Sequence, residues 1–376
     1  MEIPSYFQDF LASIRPTTDE VDEYKKGHST LTNRLYEDDT LKKIIISNFL
    51  QGSYRRATAV TASAGKRADV DVVVVTSLPE EKYSPQEAMD VFVPFLNKFY
   101  KDKYEFNSRS IKIALNYVEM DLVVTSAPSE SQEDILESNS VKSLVTPDEK
   151  DSDWVLLNSW IEPSKRQIYK SFSFIEERKK LTGWQSEPLR IPDRDRQTWE
   201  STHPLAQIEW TWDKNRATNT HYVNVVKAIK WWRRVNYLNV KYPKGYPLEH
   251  MIGNNCPDGV NSVAEGIVLS LENMVSNYQT YALLHQVPFL PDRGVPTHNV
   301  LARLSNKDFD AFYKSVCDAA KIARDAFDDA DISSSVEKWK KLFGGNFPDS
   351  PKNTSTSNNG YTKREEVSQI LPGRFA

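Results

Sequence analysis

Hydrophobic and polar positions in the first part of the chain follow helical and strand periods in turn. Residues 1–35 carry apolar side chains at helical spacing before a charged run, which predicts an N-terminal helix. Residues 68–75 are dense in β-branched side chains and predict the clearest strand of the chain. A helix is predicted over 85–100, followed by two strands within 110–125 that a tight turn joins at Asn116. This succession predicts a mixed α/β fold with a small sheet.

The remainder of the chain has a different pattern. Residues 126–153 are rich in Ser, Glu and Asp and predict a solvated loop, whereas residues 154–200 show no clean period. Helical periodicity then dominates, and its three best segments cover 219–236, 262–279 and 308–330.

These patterns divide the chain into three predicted parts. Residues 1–160 form a core lobe that contains the sheet, with an N-terminal helix placed to bridge both lobes. Residues 161–346 form a mostly helical lobe. Residues 347–376 are polar and broken by Pro and Gly, so they have no apolar face to bury and predict a disordered C-terminal tail.

Composition excludes several classes of protein. The formal net charge is -4 and the pI about 6.0, so the basic excess typical of constitutive nucleic-acid binding is absent. No run of about 18 uncharged apolar residues exists, and the N-terminus lacks the basic start of a signal peptide, so we expect a cytoplasmic protein with no membrane partner. Cys256 and Cys317 form no CxxC pair and predict neither a zinc site nor a disulfide framework.

Three aspartates lie in the two strongest predicted strands. Side chains alternate along a strand, so Asp69 and Asp71 point to one side, at the end of a face that continues as Val73 and Val75. Asp121 lies in a second apolar strand. Carboxylates beside apolar runs are costly unless a cation lies between them, and Mg²⁺ prefers carboxylate and phosphate oxygens. The pattern therefore predicts a metal site; the alternative is that these are ordinary loop-end or edge carboxylates.

A Gly-Ser pair precedes the first of these strands. Gln51, Gly52 and Ser53 follow a short apolar run. Glycine lets the backbone approach phosphate oxygens closely, and a serine hydroxyl can donate to them. In isolation the pair is equally well explained as a turn. Together with three carboxylates it favours a site for two cations and a triphosphate.

The order of these features is similar to the signature of polymerase-β-type nucleotidyltransferases. The surrounding sequence resembles the bacterial cGAS/DncV-like nucleotidyltransferases (CD-NTases), in particular the CdnD branch. The resemblance covers nearly the whole chain and is carried by FLQGSYRRAT (49–58), RADVDV (67–72), THPLAQI (202–208), KWWR (230–233) and YPKGYPLEH (242–250).

The resemblance implies a two-lobed fold with the active site in the cleft between the lobes. It implies an enzyme that joins ribonucleoside triphosphates, ATP among them, into a cyclic di- or trinucleotide signal for anti-phage defence (CBASS). Asp69, Asp71 and Asp121 would hold two Mg²⁺ ions, or Mn²⁺, with Asp121 placed to orient or deprotonate the attacking ribose hydroxyl. The hydroxyl would attack the α-phosphate in line and release pyrophosphate.

Further residues acquire roles through the same resemblance. Lys227, Lys230 and Arg234 share one face of the helix predicted over 219–236, which without the family is equally well explained as a solvated basic stripe. Lys230 corresponds to the lysine that contacts the triphosphate, and Lys227 is a second choice. Tyr246 corresponds to the ring that stacks on a donor base. The family often has Ser before this tyrosine, and this chain has Gly245 instead.

Two alternatives remain open at this point. One is an enzyme of the same fold that makes linear products or single transfers, such as an antibiotic- or RNA-end-modifying nucleotidyltransferase. The other is a catalytically silent sensor that binds nucleotide. Three costly carboxylates in one cleft argue against the silent sensor.

The extreme C-terminus predicts a recognition tag. The polar segment ends in the apolar sequence ILPGRFA (370–376), the build of a short end that a partner captures without disturbing the folded body. The alternative is an unconstrained, frayed terminus. The CdnD resemblance implies an E1/E2-type conjugating partner that acts on the carboxyl group of Ala376.

Overall fold

The computed structural model describes residues 1–62, 67, 69–127, 183–236, 243 and 245–350. Its strands are β1 (Ile45–Gln51), β2 (Asp69–Thr76), β3 (Tyr104–Phe106), β4 (Ile111–Ala114), β5 (Glu119–Ser126), β6 (Leu189–Asp193) and β7 (Thr198–Thr202). Its helices are α1 (Pro4–Ile14), α2 (Thr18–Glu37), α3 (Gly52–Arg55), α4 (Pro85–Asp90), α5 (Val93–Phe99), α6 (Pro204–Ala217), α7 (Tyr222–Asn236), α8 (Tyr246–Asn255), α9 (Val263–Leu283), α10 (Asn306–Phe327) and α11 (Ile332–Phe343). The predicted mixed α/β class is confirmed.

Two helices that periodicity predicts as continuous are each divided by a proline. The N-terminal helix separates into α1 and α2 because Arg15, which precedes Pro16, is extended. Thr17 and Glu20 then form a capping box that starts α2. The helix predicted over 85–100 separates into α4 and α5, and Pro94 lies in the first turn of α5.

The sheet is mixed, with the strand order β1-β2-β5-β4-β3. Only β2 and β5 are parallel among the pairs that the structure describes, and they form the centre of the sheet. β6 joins the end of β5 and pairs with β7. β6 and β7 lie after the predicted lobe boundary at residue 160, yet they extend the sheet, so that boundary is wrong for them. Periodicity missed β7 because it is partly exposed along its whole length and shows no clear alternation.

The two faces of the central strands carry separate cores. On one face, alternate residues of β2 and β5 pack with α2, α4 and α5; they are Val70, Val72, Val74, Met120, Leu122 and Val124. On the opposite face, Val73, Val75 and Val123 pack against Leu189 and Ile191 of β6. Both strands are therefore buried on two sides, as expected of a parallel pair.

The N-terminal segment contacts both lobes. Helix α2 contributes Tyr24 and Leu31 to the sheet core, whereas α1 packs among the helices of the C-terminal half. The rings of Phe10 and Phe343 stack with centroids 4.5 Å apart. Phe347, where the predicted tail begins, is buried in the same aromatic cluster, so the folded body extends past that residue.

The helical lobe follows the predicted pattern closely. The helices predicted over 219–236, 262–279 and 308–330 are confirmed as α7, α9 and α10. The side chains of Ser262, Ser305 and Asp331 cap the N-termini of α9, α10 and α11. None of the helices that the structure describes is long and apolar enough to cross a membrane.

Phe10→Ala tests the attachment of α1 to the helical lobe. The substitution opens a cavity beneath Phe343, so we expect it to lower the free energy of unfolding by about 3–5 kcal/mol. Phe289→Ala is the control, because this ring is 56% exposed and its loss leaves stability within about 0.5 kcal/mol. Chemical denaturation monitored by circular dichroism measures both; equal stability of the two variants would contradict the assignment.

Candidate active site

Four carboxylates lie on one face of the central parallel pair. Asp71 is opposite Asp121 in the β2–β5 register, and Asp69 is opposite Glu119. Alternation along each strand puts all four side chains on the face that continues as Val73, Val75 and Val123. Because neighbouring strands lie about 4.8 Å apart, the backbone holds these acids close together. The structure thus brings the three predicted aspartates together and adds Glu119.

Burial and mutual repulsion raise the pKa values of the aspartates. Burial, followed by the charge of Asp121, raises the pKa of Asp71 to about 7 and that of Asp69 to about 6. The pKa of Asp121 is also raised, chiefly by burial. The charges of these carboxylates are only partly compensated by the protein, which is the condition that a divalent cation corrects.

Asp121 and Glu119 have different partners. Asn107 Nδ2 and Ser110 Oγ donate to Oδ1 of Asp121, at 3.4 and 3.3 Å. Glu119 forms an ion pair with Lys112 at 2.8 Å, and the hydrogen bond from Lys112 is the main cause of its lowered pKa. Glu119 therefore has its own counter-ion, and the three aspartates remain the candidate cation ligands.

A tight turn brings the Gly-Ser pair against these aspartates. Gln51 is opposite Asp71 in the β1–β2 register, and Gly52 follows with φ +75°. A Cβ at position 52 would lie 1.9 Å from Oδ2 of Asp71, so only glycine fits there. Ser53 follows Gly52 in the first turn of α3. The predicted residues Gln51, Gly52 and Ser53 are thus grouped with Asp71.

The donor set suits Mg²⁺. Carboxylate oxygens from adjacent strands beside a phosphate-binding turn are the ligands this ion prefers. Within the described residues, no three His, Cys, Asp or Glu side chains already surround one point as a metal site.

Lys230 connects the helical lobe to the segment after α3. Its Nζ donates to the carbonyl oxygen of Thr58 at 2.9 Å and to Oε1 of Glu249 at 3.0 Å. Arg56 Nε donates to Oε2 of the same glutamate at 3.0 Å. Burial alone would raise the pKa of Glu249, but Arg56 and Lys230 hold it at about 2. One buried carboxylate thus joins two cations that come from opposite lobes.

Tyr246 lies beside this charge network at the start of α8. The guanidinium of Arg56 lies over its ring, 5.1 Å from the centroid. His250, one turn further along, meets the ring edge-on, with centroids 5.7 Å apart. Because Arg56 covers one face of Tyr246, a stacked nucleobase would use the opposite face.

The three basic residues that were predicted to share one face of α7 have different environments in the structure. Lys227 is 1% exposed and donates to Oδ1 of Asn224, and burial lowers its pKa well below the ordinary lysine value. Arg234 donates to the carbonyl oxygen of Thr61. The structure therefore does not bring Lys227 to the cleft, because its side chain lies in the interior of the helical lobe, whereas Lys230 and Arg234 hold the 58–61 segment.

His203 caps α6 by accepting from the backbone N–H of Ala206. Lys244, which precedes Gly245, and Ala376, the predicted conjugation point, both lie outside the described residues.

A separate cavity lies at the far end of the helical lobe. It has a volume of about 290 Å³ and is lined by Gln279, Ala282, Leu283, His285, Asp310 and Tyr313. None of the residues predicted to bind metal or nucleotide contributes to it. We therefore assign the active site to the carboxylate face and not to this cavity.

Three residues of the site were not predicted as functional. Glu119 could have been found, since Glu119-Met120-Asp121 repeats the alternation of Asp69-Val70-Asp71. Arg56 and Glu249 each lie inside a segment that carries the family resemblance. Their pairing joins positions far apart in the chain, and local sequence patterns contain no signal for it.

Comparison with known proteins gives concordant results. Residues 1–154 match the Second Messenger Oligonucleotide or Dinucleotide Synthetase domain. A probable cyclic AMP-AMP-GMP nucleotide synthase of Salmonella paratyphi B is 46% identical, over 100% of both chains. The cyclic AMP-AMP-GMP synthase of Enterobacter hormaechei subsp. hoffmannii (strain UCI 50) is 42% identical, again over 100% of both chains.

Solved structures show the same fold. CdnC of E. coli MS115-1 with ATP superposes with a TM-score of 0.62 at 16% identity, covering 93% of this chain and 100% of that one. The CD-NTase CdnG of Bradyrhizobium diazoefficiens in complex with GTP gives a TM-score of 0.63 at 11% identity, covering 90% and 95%. At these identities the comparison establishes the fold alone.

Asp71→Asn tests the cost of holding a buried carboxylate next to Asp121. The pKa of Asp71 rises from 3.8 to about 7 on folding, so its contribution to stability is complete below pH 3.8 and is lost as the pH rises through about 7. In EDTA, we therefore expect the variant to be more stable than wild type at pH 8, and the gain to shrink towards pH 5.

Thermal unfolding across this pH range provides the measurement. Asp318→Asn, at an exposed position on α10, is the control and should show no such pH-dependent gain. If the difference in stability between the variant and wild type were the same at pH 8 as at pH 5, the proposed cost of the Asp71 charge would be wrong.

Proposed function

The chain belongs to the CD-NTase family of cyclic oligonucleotide synthases, and from this we propose that it joins two AMP units and one GMP unit into cyclic AMP-AMP-GMP. The enzyme is a nucleotidyltransferase, as its relatives are. The proposed product rests on two relatives named for that activity, both matched over the full length of each chain.

One observation carries the catalytic part of the proposal. Asp71 and Asp121 face each other on parallel strands, and the Gly52 turn lies against Asp71. Metal-binding carboxylates and a phosphate-binding turn are therefore joined at one point. A nucleotidyltransferase needs this combination, because it must neutralise a triphosphate while it activates a hydroxyl.

The residues divide this work between them. Ser110 and Asn107 donate to Oδ1 of Asp121. We assign the other oxygen, Oδ2, the role of orienting the attacking ribose hydroxyl and accepting its proton. Asp69 and Asp71 would hold two Mg²⁺ ions, or Mn²⁺, together with Asp121. Bound there, the ions would supply charge to the triphosphate and lower the pKa of the hydroxyl. Lys230 would contact the triphosphate from the helical lobe, and Tyr246 would carry a donor base.

We further propose that the product is a signal in anti-phage defence and that synthesis takes place in the cytoplasm, where the triphosphate substrates are made. An E1/E2-type partner would conjugate the carboxyl group of Ala376 and prime the enzyme. The apolar sequence ILPGRFA at the end of a polar segment supports this, because a partner can capture such an end without unfolding the body.

Asp121→Asn and Asp69→Asn test the metal site. Each removes a charge that the bound cation requires, so we expect product formation to fall about a hundredfold or more while the fold is retained. Glu119→Gln should lose much less, because Lys112 already neutralises this acid. Incubation with all four ribonucleotides, phosphatase treatment and mass spectrometry identify a cyclic product, which has no terminal phosphate to lose. Near-normal turnover of either aspartate variant would disprove the site, and a linear product of wild type would disprove the cyclisation.

Deletion of Gly373–Ala376 tests the conjugation. The purified truncated enzyme should retain its activity, since it keeps every residue that we propose to bind metal and nucleotide. In cells that contain the conjugating partner, covalent adducts should disappear, as measured by immunoblotting of the tagged synthase. Adducts that persist after the deletion would rule out the C-terminal carboxyl group as the attachment point.

A further inference from the structure

Glu249 lies where the two lobes meet at the active site. It is 3% exposed, and both of its carboxylate oxygens accept from cations: Oε1 from Lys230 and Oε2 from Arg56. Its own carbonyl oxygen accepts from the hydroxyl of Tyr222 at 3.0 Å, which fixes α8 to α7. The side chain is thus held by its backbone in one lobe while it binds a cation from each lobe.

The ammonium group of Lys230 is oriented by this arrangement. An ammonium has three N–H donors. One donates to Thr58 and one to Glu249, so a single donor remains to meet a phosphate oxygen. With only one acceptor, the flexible lysine stem would leave the remaining donors free to rotate.

The same contacts link Lys230 to the phosphate-binding turn. The backbone N–H of Thr58 donates to the carbonyl oxygen of Ser53 at 2.9 Å, and that of Arg56 donates to Gly52 at 3.2 Å. The two cations that Glu249 binds are therefore linked to the Gly52-Ser53 backbone, Arg56 by one hydrogen bond and Lys230 by two, through Thr58.

We propose that Glu249 is a positioning residue for the transfer reaction: it clamps Lys230 and Arg56 so that the remaining N–H of Lys230 is aimed at the triphosphate held by the Gly52 turn. This rests on the proposed contact between Lys230 and the triphosphate. A carboxylate beside a polyanion disfavours binding, so its presence is better explained by the orientation it gives than by affinity.

Glu249→Gln separates orientation from attraction. The variant keeps the shape of the side chain but adds one net positive charge near the triphosphate. We expect kcat to fall by about tenfold to a hundredfold, because a misplaced contact slows transfer. We expect KM for ATP to stay unchanged or fall, because electrostatic attraction increases. A fall in kcat accompanied by a parallel rise in KM would indicate a merely structural role and overturn the proposal.

A double-mutant cycle with Lys230→Ala tests whether Glu249 acts through the lysine. With Lys230 present, Glu249→Gln should have the full effect on kcat. In combination with Lys230→Ala it should change kcat by less than about twofold. Equal fold-losses in both backgrounds would overturn the proposal. Glu272→Gln, which breaks the exposed Arg324 ion pair in the helical lobe, is the matched control and should leave kcat unchanged.

Two further measurements keep the outcome interpretable. Glu249→Gln leaves Arg56 buried without its counter-ion and is liable to unfold, so the neutral pair Arg56→Gln/Glu249→Gln is measured alongside, with and without Lys230→Ala. Calorimetric binding of the non-cleavable α,β-methylene analogue of ATP, in the presence of Mg²⁺, follows the same cycle without turnover. If wild type makes no cyclic product, the proposed function fails, whereas loss of coupling between Glu249 and Lys230 in analogue binding and kcat is a failure of this inference alone.

Discussion

Asp71 and Asp121 are held side by side by a parallel strand pairing, and their carboxylates repel each other. The register of these strands is fixed, because a shift of one residue would turn Asp69 and Asp71 into the apolar core that Val70 and Val72 occupy. The apolar cores on both faces therefore hold the acids together against their repulsion. A cation bound between them would relieve this repulsion.

Positive charge lies near the aspartates where the two lobes meet, and a buried carboxylate, Glu249, holds it in place. Arg56 and Lys230 would both be attracted by the aspartates, and an arginine paired directly with Asp71 would compete with a metal ion. Glu249 neutralises Arg56 and Lys230 where they lie, so that neither pairs directly with Asp71. Such a buried triad adds little net stability compared with apolar packing, and its value lies in the geometry that it imposes.

Sequence patterns recovered the parts of this structure that depend on local periodicity. The β2 and β5 strands, the helices α7, α9 and α10, and the three aspartates follow from alternation and hydrophobic spacing. Periodicity does not detect the breaks at Pro16 and Pro94, although the prolines themselves mark them. The strands β6 and β7 could not be predicted, because the pairing of β6 depends on β5, which is distant in sequence, and β7 is too exposed to alternate. The different positions of the Lys227 and Lys230 side chains could not be predicted either. One turn of helix separates them, and only the packing of α7 decides that Lys227 is buried while Lys230 reaches Glu249.

The path of the chain explains why the two lobes are held in register around the site. The N-terminal segment begins among the helices with α1, enters the sheet lobe with α2, and returns to the lobe junction after α3, where Lys230 and Arg234 bind the carbonyl oxygens of Thr58 and Thr61. The phosphate-binding turn is thus attached to the sheet through β1 and to the helical lobe through the segment that follows it. The Gly52 turn is therefore held from both sides, by the pairing of Gln51 with Asp71 and by the contacts of the 58–61 segment. Since a Cβ at residue 52 would lie 1.9 Å from Oδ2 of Asp71, the close approach of this turn to the carboxylate depends on glycine.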